Sequence, residues 1–107
     1  SFHSKEMEIV QDADRLGAIG AIGIARAFSF GGNKGREMYN PNIPVQEYKD
    51  KEAYKHSEAP TINHFYEKLL LLKNKMNTEA AKKIAAHRHD YMLNFLDEFI
   101  AEWNGKK

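Results

Sequence analysis

Two aspartates near the beginning of the chain are the first residues whose types and spacing could carry chemistry. Asp12 and Asp14 stand two positions apart, which on an α-helix places them about 200° apart around the axis, so they cannot bind one ion while the segment is helical. Asp14 is close in angle to Val10 on the apolar side, whereas Asp12 shares a more polar face with Arg15. A carboxylate that faces a core needs a metal ion or a cationic partner. Asp14 is therefore either a metal ligand or a salt-bridge partner of Arg15, of Arg26 or of a neighbouring helix.

Three basic residues are candidates for contacts with an anion. Lys34 and Arg36 flank a glycine in the segment GGNKGR at 31–36, and Lys68 follows Glu67 in a predicted helix. The glycine-rich segments at 17–23 and 31–36 have neither the spacing of a dinucleotide-binding fingerprint nor the terminal Lys-Ser/Thr of a phosphate-binding loop. The alternative is a flexible, solvated turn at 31–36 and an ordinary solvated charge at Lys68.

The five histidines give a weaker pattern. His87 and His89 lie on opposite sides of a predicted helix and so do not chelate one ion together; we expect His87 on the inner face, as a satisfied core histidine, and Asp90 outward. A third possibility is a metal site that joins His56 and His64 with Asp14.

The elements that must position these residues are helices. The sequence predicts an all-α helical bundle with helices at about 5–28, 60–76 and 78–103, and a lid-like irregular loop at about 29–58 with a short helical turn near 47–54. Asn77 or Thr78 is the expected cap of the last helix. Its predicted buried face consists of Ile84, Tyr91, Met92, Phe95, Leu96, Phe99 and Trp103. Gly17, Gly20 and Gly23 recur every three residues and predict a close approach of another backbone or a ligand to the first helix.

Composition narrows the classes of protein. The 107 residues describe one domain at most, and a net charge of +1 argues against a protein that coats nucleic acid. The absence of cysteine excludes thiolate metal sites and is compatible with the cytoplasm, where we expect the protein. The uncharged run at 16–25 falls short of the ~20 residues that span a bilayer, so no membrane association is expected. The chain does not begin with Met, and we expect it to be a piece of a longer protein.

Three segments together resemble a known family. The segments IVQDADRLGAIGAIGIAR at 9–26, NHFYEKLL at 63–70 and MNT at 76–78 are similar to the C-terminal half of bacterial HD-domain metal-dependent phosphohydrolases. The resemblance implies an all-α bundle that holds a divalent ion (Mn, Mg, Co, Fe or Zn) through a His, a His-Asp pair and a distant Asp. The first three ligands are then expected upstream of Ser1.

The resemblance also assigns roles to residues. The resemblance implies that Asp14 is the last metal ligand and the catalytic residue of this half. It also implies that Asp12 supports that ligand without touching the ion. Arg26, Lys68, Lys34 and Arg36 become the candidates for binding substrate phosphate. The pair His89-Asp90 lies after the distant Asp, where the family has no ligands. Gly17 departs from the family pattern, since close relatives usually carry Asp at this position.

The function implied is hydrolysis of nucleotides or of other small phosphate or pyrophosphate compounds by a metal-activated water. A single carboxylate does not hold a hydrolytic ion, so we expect this piece alone to be inactive. The expected partners are the substrate and either the missing N-terminal helices of the domain or a second copy; no specific nucleic acid is expected. The alternative function is a non-enzymatic helical module that binds another chain or dimerises.

Overall fold

A computed structural model of the protein describes residues 4–47 and 57–107. Within these residues the fold is entirely helical, as the sequence predicts. Its elements are α1 (Lys5–Leu16), α2 (Gly20–Asn33), α3 (Thr61–Glu67), a 3-10 helix (Leu69–Lys75) and α4 (Glu79–Trp103). None of the helices in the described ranges combines the length and the apolar character needed to cross a membrane.

The first predicted helix, 5–28, is two helices, which corrects the sequence analysis. α1 begins with Ser4, whose hydroxyl accepts a hydrogen bond from the Met7 N–H, and it ends at Leu16. Ile19 is extended and Gly20 has a φ of +76°, a left-handed conformation that glycine adopts at little cost. The chain therefore turns between Leu16 and Gly20, and α2 leaves in a new direction.

The loop after α2 is shorter than predicted and is anchored where the structure describes it. α2 continues to Asn33, so the irregular segment starts at Lys34 and not at 29. The Thr61 N–H donates to the Glu37 carbonyl (2.9 Å), and the Ile62 N–H donates to the Met38 carbonyl (3.0 Å). These bonds satisfy the first free donors of α3 and tie residues 34–47 to it, in contrast to a free lid. The predicted turn at 47–54 falls almost entirely outside the described residues.

The second predicted helix, 60–76, is also divided. α3 ends at Glu67, and after Lys68 (φ −141°) the chain continues as a 3-10 helix. The helical spacing predicts an apolar stripe of six residues, Ile62, Phe65, Tyr66, Leu69, Leu72 and Met76. Five of them are buried, and Tyr66, which is exposed, is a correction. A stripe at i+3 and i+4 spacing fits both helix types over so short a distance, which is why the pattern does not reveal the change.

α4 agrees with the predicted helix in its bounds and its cap but not in its buried face. The Thr78 hydroxyl accepts a hydrogen bond from the Ala81 N–H (3.2 Å). The buried residues of α4 are Ala81, Ala85, Met92 and Leu96. Ile84, Tyr91 and Trp103 are exposed, and so is His87, so these four are corrections. Alanine lets the neighbouring helices approach α4, and the core therefore forms on the alanine side.

A row of aromatic side chains holds α2, α3 and α4 together. The ring centroid of Phe28 lies 6.0 Å from those of Phe65 and Phe95. Tyr39, from the segment after α2, packs edge-on against Phe99 at 5.9 Å and against Trp103 at 5.2 Å. This row fixes α2 and α3 relative to each other, and these are the two helices that shape the cavity described next.

Candidate functional site

A cavity of about 740 Å³ opens between the α1–α2 turn, one face of α2 and the beginning of α3. α2 contributes a stripe at i, i+3, i+4, i+7 and i+8 spacing, from Gly23 to Gly31, and α3 contributes residues one turn apart. The polar side chains that line it are Asp14, Arg26, Arg36, Ser57, Thr61, His64, Glu67 and Lys68. The structure thus brings together four of the residues that the sequence analysis selects, Asp14, Arg26, Arg36 and Lys68. Lys34 does not line the cavity.

Two glycines of α2 allow the walls of the cavity to close. A Cβ at position 23 would collide with the backbone of Ala18, and a Cβ at position 31 would collide with the Thr61 side chain. The α1–α2 turn and α3 therefore approach α2 more closely than any side chain would permit. The close approach that the glycine repeat predicts is confirmed at Gly23. At Gly20 the neighbour is the Arg88 side chain, 2.8 Å from a would-be Cβ.

Asp14 lies at the end of the cavity formed by α1. Its side chain is exposed, in contrast to the expected core-facing position. It makes no hydrogen bond or ion pair with any part of the chain that the structure describes, because Arg15 donates to the Lys75 carbonyl (2.7 Å) and Arg26 donates to the Gly17 carbonyl (3.2 Å). The carboxylate oxygens of Asp14 therefore remain available to a ligand from the cavity.

Asp12 occupies the opposite side of α1 and is only 3% exposed. Its carboxylate accepts hydrogen bonds from the Asn77 N–H (2.7 Å), the Thr78 N–H (2.9 Å) and the Thr78 hydroxyl (2.8 Å). Burial raises the pKa of this carboxyl, but the three hydrogen bonds outweigh burial and hold the pKa below its usual value. The assignment of Asp12 to a polar surface is corrected, because these bonds hold α1 against the start of α4. They lie away from the cavity.

Backbone carbonyls position the two arginine side chains of the cavity. Arg26 donates one N–H to Gly17, and Arg36 donates one N–H to the Ser57 carbonyl at 2.8 Å. Each guanidinium has five donors, so these single bonds orient the side chain and leave other donors for a ligand. Lys34 instead lies with its Nζ 5.6 Å from the ring centroid of Phe30.

His64 and Glu67 also line the cavity, although the sequence analysis gives neither a leading role. Burial first of all, and then the positive charges of Lys68 and Arg36, together lower the pKa of His64 to about 4. The imidazole is therefore neutral at pH 7. The Glu67 carboxylate accepts a hydrogen bond from the Gln46 N–H at 3.1 Å, which ties the loop to the cavity wall.

Comparison with known proteins identifies the fold. A structure from Lactobacillus plantarum is 50% identical, with a TM-score of 0.89, and covers 98% of this chain. An HD-superfamily hydrolase from Bacillus thuringiensis is 54% identical, with a TM-score of 0.78, over 94% of this chain. This chain belongs to the HD superfamily. The resemblance seen in the sequence is confirmed, although no protein-family model matches.

Bacillus subtilis YpgQ, an uncharacterised protein, is a further relative, at 46% identity over 93 residues. A structure of YpgQ in complex with ADP superposes on this HD-superfamily chain with a TM-score of 0.73 and 40% identity over 92% of the chain. The chain spans 38% of YpgQ, and 52% and 47% of the Lactobacillus and Bacillus thuringiensis proteins. The match to about half of each relative agrees with the C-terminal half to which the sequence is similar.

The described residues of this HD-superfamily chain do not form a metal site by themselves, since no three His, Asp or Glu side chains among them are grouped closely enough to hold an ion. Asp14 is available as one ligand, and His64 and Glu67 share its cavity. His56 lies outside the described residues, so the possible site of His56, His64 and Asp14 stays a prediction. A signal for His64 and Lys68 is present in the sequence, because their i, i+4 spacing places both on one face of the helix predicted at 60–76. In the structure α3 ends at Glu67, and Lys68 is the residue that follows it.

Proposed function

We propose that the cavity binds the phosphate groups of a nucleotide, and that the whole protein is an HD-type phosphohydrolase that uses a divalent ion. The observation that carries this proposal is the cavity itself, which the carboxylate of Asp14, without a partner among the described residues, lines together with the cations Arg26, Arg36 and Lys68. A carboxylate for an ion beside cations for phosphate is the arrangement that phosphoryl chemistry requires. The ADP bound to YpgQ favours a nucleotide among small phosphate compounds.

The cationic residues bind and orient the substrate. The Arg26 guanidinium matches phosphate oxygens with pairs of N–H donors, whereas the Lys68 ammonium acts as a point charge. Both neutralise negative charge as it increases on the phosphoryl oxygens, and Arg36 adds positive charge beside the Phe30 ring. His64 is neutral at pH 7 and therefore lines the cavity without adding a further positive charge.

Asp14 would hold the ion together with ligands that lie outside the described residues. The resemblance implies that these are a His and a His-Asp pair from the other half of the domain. A bound divalent ion lowers the pKa of a coordinated water and polarises a phosphoryl oxygen. Because one carboxylate is too few to retain such an ion, the chain by itself should be inactive.

The experiment measures phosphate or pyrophosphate release from a panel of nucleotides by the whole protein with Mn²⁺, Mg²⁺ or Co²⁺. Asp14→Asn keeps the side-chain volume and should lower kcat by about 100-fold or more. Asp90→Asn is the matched control, since Asp90 is an exposed carboxylate of α4 that does not line the cavity, and it should leave kcat unchanged. Equal activity of the two variants would refute the role of Asp14.

A second measurement tests the dependence on the other half of the domain. Elemental analysis of the isolated 107-residue chain should find no stoichiometric metal, and the chain should release no phosphate. Stoichiometric metal with activity that Asp14→Ala abolishes would show instead that the chain builds a complete site by itself.

A specific surface favours a second candidate function, a helical interaction module. Ile22 is 65% exposed and Tyr91 is 50% exposed, and both line a shallow depression with Ile19 and His87. Exposed apolar side chains grouped in this way mark an interface. We propose that the other half of the HD domain covers this surface in the whole protein, and that two isolated chains cover it for each other.

Sedimentation measures the oligomeric state of the isolated chain and so tests whether a second copy covers this surface. A dimer that Ile22→Asp dissociates would place the interface on this surface. The matched control is Ile9→Asp, because Ile9 is equally apolar and 54% exposed but lies on α1. In the whole protein the same Ile22→Asp change should lower Tm if the other half of the domain covers Ile22, and should leave Tm unchanged if it does not.

A further inference from the structure

A phenylalanine stands at one side of the candidate phosphate site with its ring open to solvent. Phe30 lines the cavity and is 54% exposed, whereas Phe28, two residues earlier on α2, packs in the aromatic row with Phe65 and Phe95. The core contacts of this part of α2 are therefore made by Phe28, and the Phe30 ring lies at the cavity instead. An exposed aromatic ring in the wall of a polar cavity is a surface for another flat group.

Two cations already lie against this ring. The guanidinium carbon of Arg36 is 5.3 Å from the ring centroid, and the Lys34 Nζ is 5.6 Å from it. Arg36 is half-buried and is held by the Ser57 carbonyl, whereas Lys34 is exposed and has a flexible side chain. A ligand can therefore displace Lys34 at little cost, while Arg36 stays in place beside the ring.

The distance from this ring to the phosphate-binding residues suits a nucleotide. Arg26 and Phe30 are four residues apart on α2 and lie on one face of the helix, about 6 Å apart along the axis. A ligand with phosphates at Arg26 and Lys68 can thus place a planar group on Phe30 without leaving the cavity.

We infer that Phe30 and Arg36 form the nucleobase subsite of this cavity, in which the base stacks on the Phe30 ring beside the Arg36 guanidinium. The inference rests on the proposed function, because it assigns the base of the nucleotide whose phosphates the cations bind. Stacking on an aromatic ring and an arginine plane accepts any base, since each base has a π face. The subsite therefore predicts a preference for nucleotides over inorganic polyphosphates, with little discrimination among bases.

The test compares nucleotides with a substrate that has no base, in the whole protein. Phe30→Leu keeps an apolar side chain but removes the ring, and it should lower kcat/KM for ATP, GTP, CTP and UTP by about 5- to 100-fold. The same variant should leave kcat/KM for inorganic tripolyphosphate unchanged. Phe30→Trp, which restores an aromatic surface, should retain the activity of the unmodified protein toward nucleotides.

Other outcomes overturn the inference. Equal losses for nucleotides and tripolyphosphate, with a lower Tm, would show that Phe30 packs against the rest of the domain. No loss for either substrate would show that the base lies elsewhere.

Calorimetric titration with ADP distinguishes failure of the nucleobase subsite from failure of the proposed hydrolase function. The unmodified protein could bind ADP without hydrolysing any nucleotide. If Phe30→Leu then weakens the binding of ADP and Phe30→Trp does not, the nucleobase subsite is supported and the hydrolase function is refuted. If the unmodified protein binds no ADP, both proposals are refuted.

Discussion

The carboxylate of Asp12 accepts hydrogen bonds from both the backbone N–H and the hydroxyl of Thr78, at 2.9 and 2.8 Å. The same hydroxyl accepts a hydrogen bond from the Ala81 N–H in the first turn of α4. One buried carboxylate of α1 thereby orients the cap of α4, which lies 66 residues further along the chain. The negative charge also lies where the dipole of α4 favours it.

Removing this carboxylate should destabilise the fold without a direct effect on the cavity. Asp12→Ala leaves two backbone N–H groups and a hydroxyl without their partner, and we expect Tm to fall by about 5–15 °C. Asp14→Ala, two residues later at an exposed position, should change Tm by less than about 2 °C. Thermal unfolding followed by circular dichroism measures both, and similar shifts for the two variants would contradict the assigned roles.

The Asp12 contacts also predict sensitivity to acid. Because the folded pKa of Asp12 is lowered from 3.8, the stabilisation is complete above about pH 4 and is lost as the pH falls through the lowered pKa. In Asp12→Asn the slope of unfolding free energy against pH below 4 should decrease. An unchanged slope in that range would mean that other carboxylates cause the acid unfolding.

His64 should give evidence of the same sign at higher pH, because its folded pKa is also lowered. Its pKa is about 4 in the folded chain, against an ordinary value of 6.5. Between these two pH values the unfolded chain binds a proton that the folded chain does not, so the free energy of unfolding falls as the pH falls from 6.5 to 4. Replacement His64→Gln should flatten this part of the curve.

A direct titration of the imidazole by NMR supplies the control. The His64 ring should titrate near pH 4 in the unmodified chain. In the Lys68→Gln variant the imidazole stays buried, but one of the two positive charges that lower its pKa is removed. The titration of His64 should therefore move to higher pH. If it does not move, Lys68 does not act on His64 in the cavity.

The helices and much of the cavity could be predicted from the sequence because they depend on local patterns. Thr78 is recognisable as a cap, and Asp14 with Arg26 follows from the family resemblance. The break between α1 and α2 could not be predicted, because the apolar pattern continues through it and only the positive φ of Gly20 reveals the turn. The position of Lys34 likewise depends on a tertiary contact, with Phe30.

The buried face of α4 shows a second limit. Hydrophobicity favours Ile84 and Tyr91 as core residues, yet Ala85 is completely buried and both larger side chains are exposed. Close helix packing selects the small residue, and Tyr91 lies on the surface that we propose the other half of the domain covers. On that proposal, residues outside the described structure complete this part of the core.

Two glycines of α2 should respond to alanine with opposite signs. A Cβ in Gly23→Ala would collide with the Ala18 backbone, which cannot rotate away, so we expect a loss of about 1–3 kcal/mol in the free energy of unfolding. Gly32 has no atom within 4 Å of a would-be Cβ, and Gly32→Ala should stabilise α2 by about 0.5–1 kcal/mol. Urea unfolding measures both. Two stabilising substitutions would show that the α1–α2 turn does not need the glycine.

Gly17 gives the last prediction, because the family resemblance implies an Asp at this position. The Arg26 guanidinium donates to the Gly17 carbonyl, and its Nη1 lies 3.2 Å from the position of a Cβ at residue 17. The φ of −68° allows any side chain. A carboxylate introduced by Gly17→Asp should therefore pair with Arg26 and stabilise the fold by about 0.5–1 kcal/mol, the value of a partly exposed ion pair.

Gly17→Asn has nearly the same volume without the charge and separates electrostatic from steric effects. A double-mutant cycle of Gly17→Asp with Arg26→Gln isolates the pair, and the coupling should weaken as salt is added, because the Arg26 side chain is exposed. Equal stabilities of the Asp and Asn variants would show that no ion pair forms. Arg26 would then remain held by the backbone carbonyl, with its other donors still directed to the phosphate site.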